Sequence, residues 1–365
     1  LLALGTTSSL QAFSEVALKD HAEAFATAAA PASEKYNFKL GPVTTDVAGK
    51  FEAEYNDNIS LTDSGKVDDT ILRFGITSKT VWPITELNSL SLDIDAAYRY
   101  YLDNTELNSN ENFLDISPGS ELALKWWIKD FSFKIYDQFS YSIDSADARV
   151  FDPTSSTILN NVTDFGRIEN RAGLDVLWDL NDLKVYAGYA RDTVNTDDAE
   201  FSSLDRNQDS VYLTPMLMLN PSFSVGLASS YFWNDYTDDI QNDGHGFALG
   251  PTAMYQLTQN TSVKADLLWK RTFYDENGTN GDVSDLNTWN GSVGLDQELN
   301  EFFAHSLVIG RESSFSGVAN TQTVNFARYL PTYQLRENLA LKGRLVYEDG
   351  KDSPADNSES YIRRI

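Results

Sequence analysis

Histidine is scarce in this chain. His21, His245 and His305 are the only three, and no two stand at a spacing that would offer a pair of imidazoles to one metal. With no cysteine there is no thiolate ligand, thiol nucleophile or disulfide, and a serine relay has no legible base. Carboxylates are plentiful. Asp93 and Asp95 fall two apart, on one face of an extended segment, where paired acids could do general acid/base work. Arg99, Lys125 and Lys134 follow on neighbouring segments, so salt-bridging is the plainer reading. The stretch 234–245 carries Asp235, Asp238, Asp239 and Asp243, and 275–285 carries three more aspartates. Carboxylate oxygens of this kind suit Ca²⁺ or Mg²⁺, but neither stretch has EF-hand spacing, and a solvated loop explains both. No cofactor, resident metal or enzymatic activity is expected.

The charged residues become intelligible through the elements that carry them. From Arg171 to Ala190 side chains alternate strictly: Ala172, Leu174, Val176 and Trp178 share one face, then Leu183, Val185, Ala187 and Tyr189 continue it beyond the turn at Asn181. A period of two marks β-strand, and two strands of about ten residues joined by two or three residues mark a long hairpin. Similar tight turns recur near Asp130, Pro221, Asn260, Asn300 and Glu337, mostly about 40 residues apart. The pattern predicts strands over 47–56, 67–82, 88–101, 113–129, 131–143, 166–179, 183–192, 209–219, 222–234, 246–258, 261–274, 287–299, 302–312, 321–335 and 338–348, with a sixteenth starting at Ser360 and stopping at Ile365. Short turns alternate with loops rich in Asp, Asn, Ser, Thr and Gly. That is the connectivity of an up-and-down antiparallel transmembrane β-barrel, about sixteen strands here and eighteen if two more follow. The absence of a long apolar run does not count against it, because amphipathic strands barely register in hydropathy.

Membership of each face follows. The apolar stripe, with Leu183, Val185, Tyr189, Leu267 and Trp269, is expected to meet lipid. The opposite stripe would line a pore: Asp93, Asp95, Arg99, Glu121, Lys125, Lys134, Arg167, Arg171, Asp175, Lys184, Lys264, Asp266, Lys270, Lys342 and Arg344. Arg167, Arg171, Lys125 and Lys134 would form a basic wall facing Asp93 and Asp95. Trp82, Trp126, Trp127 and Trp178 lie near short turns, while Trp233, Trp269 and Trp289 lie near long loops, giving an aromatic girdle at each rim.

The formal net charge is -26, and the long connections hold 29 of the 54 acids but only four of the 28 bases. The acidity therefore sits at one end, and nucleic-acid binding, which needs a basic stripe, is excluded. Loops of this charge are expected to face the cell exterior and to bind divalent cations loosely, bridging to anionic lipid head groups.

Residues 1–12 resemble the tail of a secretory signal peptide, 13–45 read as a poorly ordered lead-in, and 46–365 as the barrel, stopping mid-strand. Phe51-Glu-Ala-Glu-Tyr-Asn-Asp-Asn-Ile-Ser-Leu-Thr-Asp63, followed by Ile116-Ser-Pro-Gly119 before an alternating strand, resembles the β-barrel porin-2 type of Gram-negative outer-membrane protein over about 46–365. Some members of that family lie in exopolysaccharide loci. The resemblance implies a porin-like channel whose partners are outer-membrane lipid and lipopolysaccharide, together with small polar solutes or a polysaccharide. The alternatives are a structural or adhesive barrel with a plugged lumen and, least favoured, a barrel enzyme. The sequence is silent on oligomeric state.

Overall fold

The computed structural model describes residues 36–364 apart from positions 58, 60–65, 109–113, 118, 146–148, 153–156, 161–163, 198, 317–318, 337–338 and 354–359. The segment resembling a signal peptide, and His21, lie outside the described residues. The chain opens with β1 (Phe38–Leu40), turns at Gly41, whose φ of 60° is left-handed, and runs on through β2 (Val43–Asn56), β3 (Asp69–Pro83), β4 (Ser89–Tyr101), β5 (Leu114–Ile116), β6 (Glu121–Ile128) and β7 (Phe131–Ser145). Next come β8 (Arg149–Asp152), β9 (Thr157–Asn160), β10 (Asp164–Leu180), β11 (Leu183–Thr196), β12 (Arg206–Asn220), β13 (Phe223–Tyr236) and β14 (Gly244–Thr258). The last are β15 (Thr261–Tyr274), β16 (Leu286–Asn300), β17 (Phe303–Phe315), β18 (Thr321–Arg336), β19 (Leu339–Lys342), β20 (Leu345–Asp352) and β21 (Ser360–Arg364).

All but β8 and β9, which form a hairpin of their own, belong to one 19-stranded antiparallel sheet in up-and-down order. The segments β5 and β6 both lie between β4 and β7, and β19 and β20 both lie along β18. Counting each of these as one interrupted strand, and setting aside the short β1, leaves sixteen among the described residues. Three features were not anticipated: the β8–β9 hairpin inside a long loop, short 3₁₀ turns at Thr105–Asn108 and Ala199–Leu204, and β1, which pairs with the start of β2 where a lead-in was expected.

Two-residue turns close most hairpins at one end, and residues 84–88 make the longer turn between β3 and β4. Lys129 and Asn181 take φ of 55° and 66°, the left-handed backbone that tight hairpins require. Four other hairpins shift register just before the turn, between Met218 and Asn220, Gln256 and Thr258, Glu298 and Asn300, and Gln334 and Arg336. The long acidic loops close the other end. Arg344, between β19 and β20, lies within electrostatic reach of Glu52 and Glu54 on β2, so the sheet curls until its last strands approach its first.

The faces are inverted relative to a soluble protein. Large apolar side chains point outward and stay open, such as Leu267 at 50%, Val293 at 56% and Ile309 at 54%, while Arg73, Arg171 and Lys270 on the inner face are 4–5% exposed. Only a hydrocarbon surround makes such a surface favourable. Aromatic rings on the inner face lie flat because the residue directly opposite is glycine. A Cβ on Gly173 would sit 2.5 Å from Tyr136 Cζ, and one on Gly188 2.5 Å from Tyr212 Cε1. Phe232 rests on Gly246 and Phe326 on Gly310 in the same way.

Candidate functional site: the inner face of the barrel

Alternation along β2 to β20 brings all fifteen sequence-selected charges to the inner parity, and most find a carboxylate or base one strand away. Lys50 Nζ meets Asp95 Oδ1 at 2.6 Å. Arg73 reaches Glu54 at 2.5 Å and Glu52 at 3.4 Å, with its Nε 3.6 Å from Asp115. Arg99 grips Asp115 through two nitrogens, at 2.9 and 3.0 Å. Lys134 meets Glu121 at 2.7 Å, Arg167 meets Glu169 at 2.7 Å, and Arg171 meets Asp192 at 3.0 Å. Asp93 stands opposite Lys79 on one side and Glu121 on the other. Lower on the wall Lys184 is 3.5 Å from Asp179, Lys264 is 3.7 Å from Asp296, and Asp266 accepts the Ser292 hydroxyl at 2.7 Å. Lys270 donates to the Ser313 carbonyl at 2.8 Å, and Lys342 stands opposite Thr332.

This corrects the expected basic wall. Arg167, Arg171 and Lys134 each have a carboxylate on their own or an adjoining strand, nearer than Asp93 or Asp95 on β4, which lie further along the same wall, and Coulomb energy falls with distance. Lys125 stands directly opposite Lys134 across the β6–β7 pair. Asp192, Asp115 and Arg328 were not selected. Arg328 joins Glu312 at 2.7 Å to Glu348 at 3.2 Å. Parity alone could have found them: Asp192, the last residue of the expected strand 183–192, shares the face of Tyr186 and Ala190.

Between the charges lies an aromatic patch. Leu177, Tyr186, Tyr212 and Met216 pack together with Trp127 against them. Tyr212 donates its hydroxyl to Asp175 at 2.8 Å, and Arg171 Nε donates to the Tyr136 hydroxyl at 3.4 Å. Trp127 therefore leaves the girdle: it sits one residue from Trp126, and neighbours on a strand face opposite ways. The other six tryptophans stay on the outer side. Trp82, Trp126 and Trp178 mark the short-turn rim, where Trp178 stacks on Phe131 with centroids 5.5 Å apart, and Trp233, Trp269 and Trp289 mark the loop rim.

The aspartates of 234–245 do not converge. Asp238 accepts the Ser202 hydroxyl at 2.5 Å, and Asp243 accepts the Tyr236 amide and the Asn277 side-chain amide, both at 2.6 Å. Among the described residues no three His, Asp or Glu side chains gather as a metal site. His245 lies against Phe273 and Tyr231, and His305 against Phe303 and Tyr329, with no carboxylate relay. A different group of loop residues does converge over β13 to β20. Asp282 accepts the Asn320 backbone amide at 2.9 Å and the Ser353 hydroxyl at 2.6 Å, and Asn242 bridges the Asp282 carbonyl and Asn320. Beneath this cap Phe315 touches the rings of Phe232 and Tyr236 edge-on.

Comparison with known proteins agrees with the geometry. The model of the family described as MetA-pathway of phenol degradation matches residues 145–284. No curated protein matches the chain. Among solved structures, a BenF-like porin from Pseudomonas fluorescens Pf-5 aligns at 12% identity and TM-score 0.42, covering 89% of this chain and 97% of that one. The outer membrane protein OpdK from Pseudomonas aeruginosa aligns at 12% and 0.40, covering 89% and 98%. A ferric enterobactin receptor from the same organism aligns at 10% and 0.44, covering 87% of this chain, which spans 62% of the receptor. By its strand order and its apolar outer face the chain is an up-and-down transmembrane β-barrel.

Proposed function

We propose that the barrel is a channel for small polar solutes, among them sugar-like ones and, in extended form, a polysaccharide strand. One observation carries this: the inner face is a lattice of ion pairs from Lys50–Asp95 to Arg328–Glu348. Side-chain charges in such number need water or a polar ligand beside them, since the desolvation of a dry pair exceeds much of its Coulomb gain. Sixteen strands enclose enough room for an aqueous path. Because most of the bases have an acid close by, the wall presents alternating local dipoles rather than one sign of charge, which orients a dipolar solute without holding an ion strongly. The acidic vestibule raises the local cation concentration over about 8 Å at physiological salt.

The loop cap around Asp282 favours a second reading, a structural or adhesive barrel whose lumen is closed on the β13–β20 side. Planar-bilayer recording separates the two. A channel gives steady conductance with weak cation preference, and liposomes carrying it swell in small sugars. A folded barrel that never conducts removes the channel and leaves the structural reading.

A further inference from the structure

On the outer face of β13 to β17, close to the loop rim, two arginines stand among lipid-facing aromatics. Arg271 is three residues below the end of β15, and Arg311 four below the end of β17. Both have outward parity: Arg271 pairs with Phe247 and Asn287, and Arg311 with Gly291. Among the described residues neither has a carboxylate within ion-pair distance. Arg191, at the same depth on β11, shows the alternative solution, an internal salt bridge to Asp209 at 3.2 Å.

Their surroundings set a height and a shape. The Arg271 guanidinium lies 4.5 Å above the Phe273 ring, whose plane stacks on His245. Trp269 and Trp289 are directly opposite each other one row below, and Trp269 donates its indole N–H to Asn287 at 2.7 Å. Interfacial tryptophans sit at head-group level, so both arginines do too. Below them Leu267, Val293 and Ile309 are exposed around Gly291, over which the Leu267 side chain leans, so an apolar patch lies beside the two arginines. The two arginine Cα atoms are two strands and four residues apart, about 16 Å from strand geometry, within the combined reach of two extended side chains around one lipid head.

We propose that this patch holds a phosphate-bearing lipid of the outer leaflet, its phosphate gripped by Arg271 and Arg311 and an acyl chain lying over Leu267 and Val293. A guanidinium left at the edge of hydrocarbon needs an anion. Its planar fork matches phosphate oxygens, and the apolar floor selects a lipid over a free ion. The site is independent of whether the lumen conducts.

Barrel extracted gently from its membrane should carry phosphate-bearing lipid, detectable by mass spectrometry. Arg271→Gln combined with Arg311→Gln should lower its retention about tenfold, the loss of roughly one charge-assisted contact. Arg191→Gln, which removes an arginine that already has its carboxylate, should retain the lipid. In nanodiscs of phosphatidylcholine, added phosphatidic acid should raise the melting temperature of the wild type and not of the double variant. Correct assembly of each variant is read from its circular dichroism. Equal retention by wild type and double variant overturns the proposal. So does equal loss in Arg191→Gln, or full displacement of the lipid by millimolar inorganic phosphate.

Discussion

A charge placed on the two faces of the same wall should report opposite environments, with a size set by depth. Leu267 is six residues above the turn that starts β15 and half exposed on the lipid side. At a rise of about 3.3 Å per residue and a tilt near 40° it stands roughly 15 Å above the inner rim, close to the bilayer midplane. Leu267→Arg should cost about 2–4 kcal/mol. Val185 also faces lipid but is only the third residue of β11, roughly 5–7 Å from the same rim, so Val185→Arg should cost about 1 kcal/mol or less because the arginine reaches the head groups. Ser230, mid-strand on β13 and opposite Tyr212, faces the lumen, and Ser230→Arg should change stability by no more than about 1 kcal/mol. Guanidinium unfolding from lipid vesicles, followed by tryptophan fluorescence, gives all three values. Equal costs at Leu267 and Ser230 would refute the assignment of faces, and equal costs at Leu267 and Val185 would refute the depth argument.

Gly173→Val should force Tyr136 off the wall and loosen its contact with Arg171, costing about 1–3 kcal/mol and narrowing the lumen; melting temperature and single-channel conductance read both effects. Lys134→Glu with Arg171→Glu leaves Glu121 and Asp192 beside new carboxylates, so cation preference should strengthen, measured as a reversal potential across a KCl gradient. Burial alone would raise the Asp282 carboxyl, but hydrogen bonds from Ser284, Ser353 and the Asn320 backbone outweigh it and hold the group below the ordinary aspartate range. Its stabilisation of the loop cap is therefore complete above about pH 4 and lost as pH falls through the lower folded-state value. Protease access to the loops should rise at strongly acidic pH in the wild type, and Asp282→Asn should show that looser cap already at neutral pH.

The strands were legible because a membrane barrel writes both faces into every strand. Charges such as Lys134 and Arg171 fall on one parity while Leu183 and Leu267 fall on the other, and the turns at Asn181 and Asn260 punctuate them. Strand ends were less so. Arg206 to Gln208 and Val194 continue the ladder into segments whose polar composition looks like loop, because pairing to a neighbour, not local propensity, extends them. Trp127 was misplaced for a related reason: closeness to a turn gives height on the barrel but not side, and parity with Lys125 assigns it inward. The pairing of Arg171 with Asp192 and of Arg73 with Glu54 was not legible at all, since which base meets which acid depends on register between strands.

The glycine seats bear on how such a sheet could assemble correctly. Each of the rings Tyr136, Tyr212 and Phe326 has a glycine opposite it on the neighbouring strand only in the native register. A slip of one residue turns the ring toward lipid. For Tyr136 a slip of two sets the ring against Arg171 or Asp175 on Gly173's strand, where a Cβ already occupies the space. The seats thus act as a proofreading code between successive hairpins: a strand arriving out of step finds no socket for its aromatic ring and can be released before the next one is laid down.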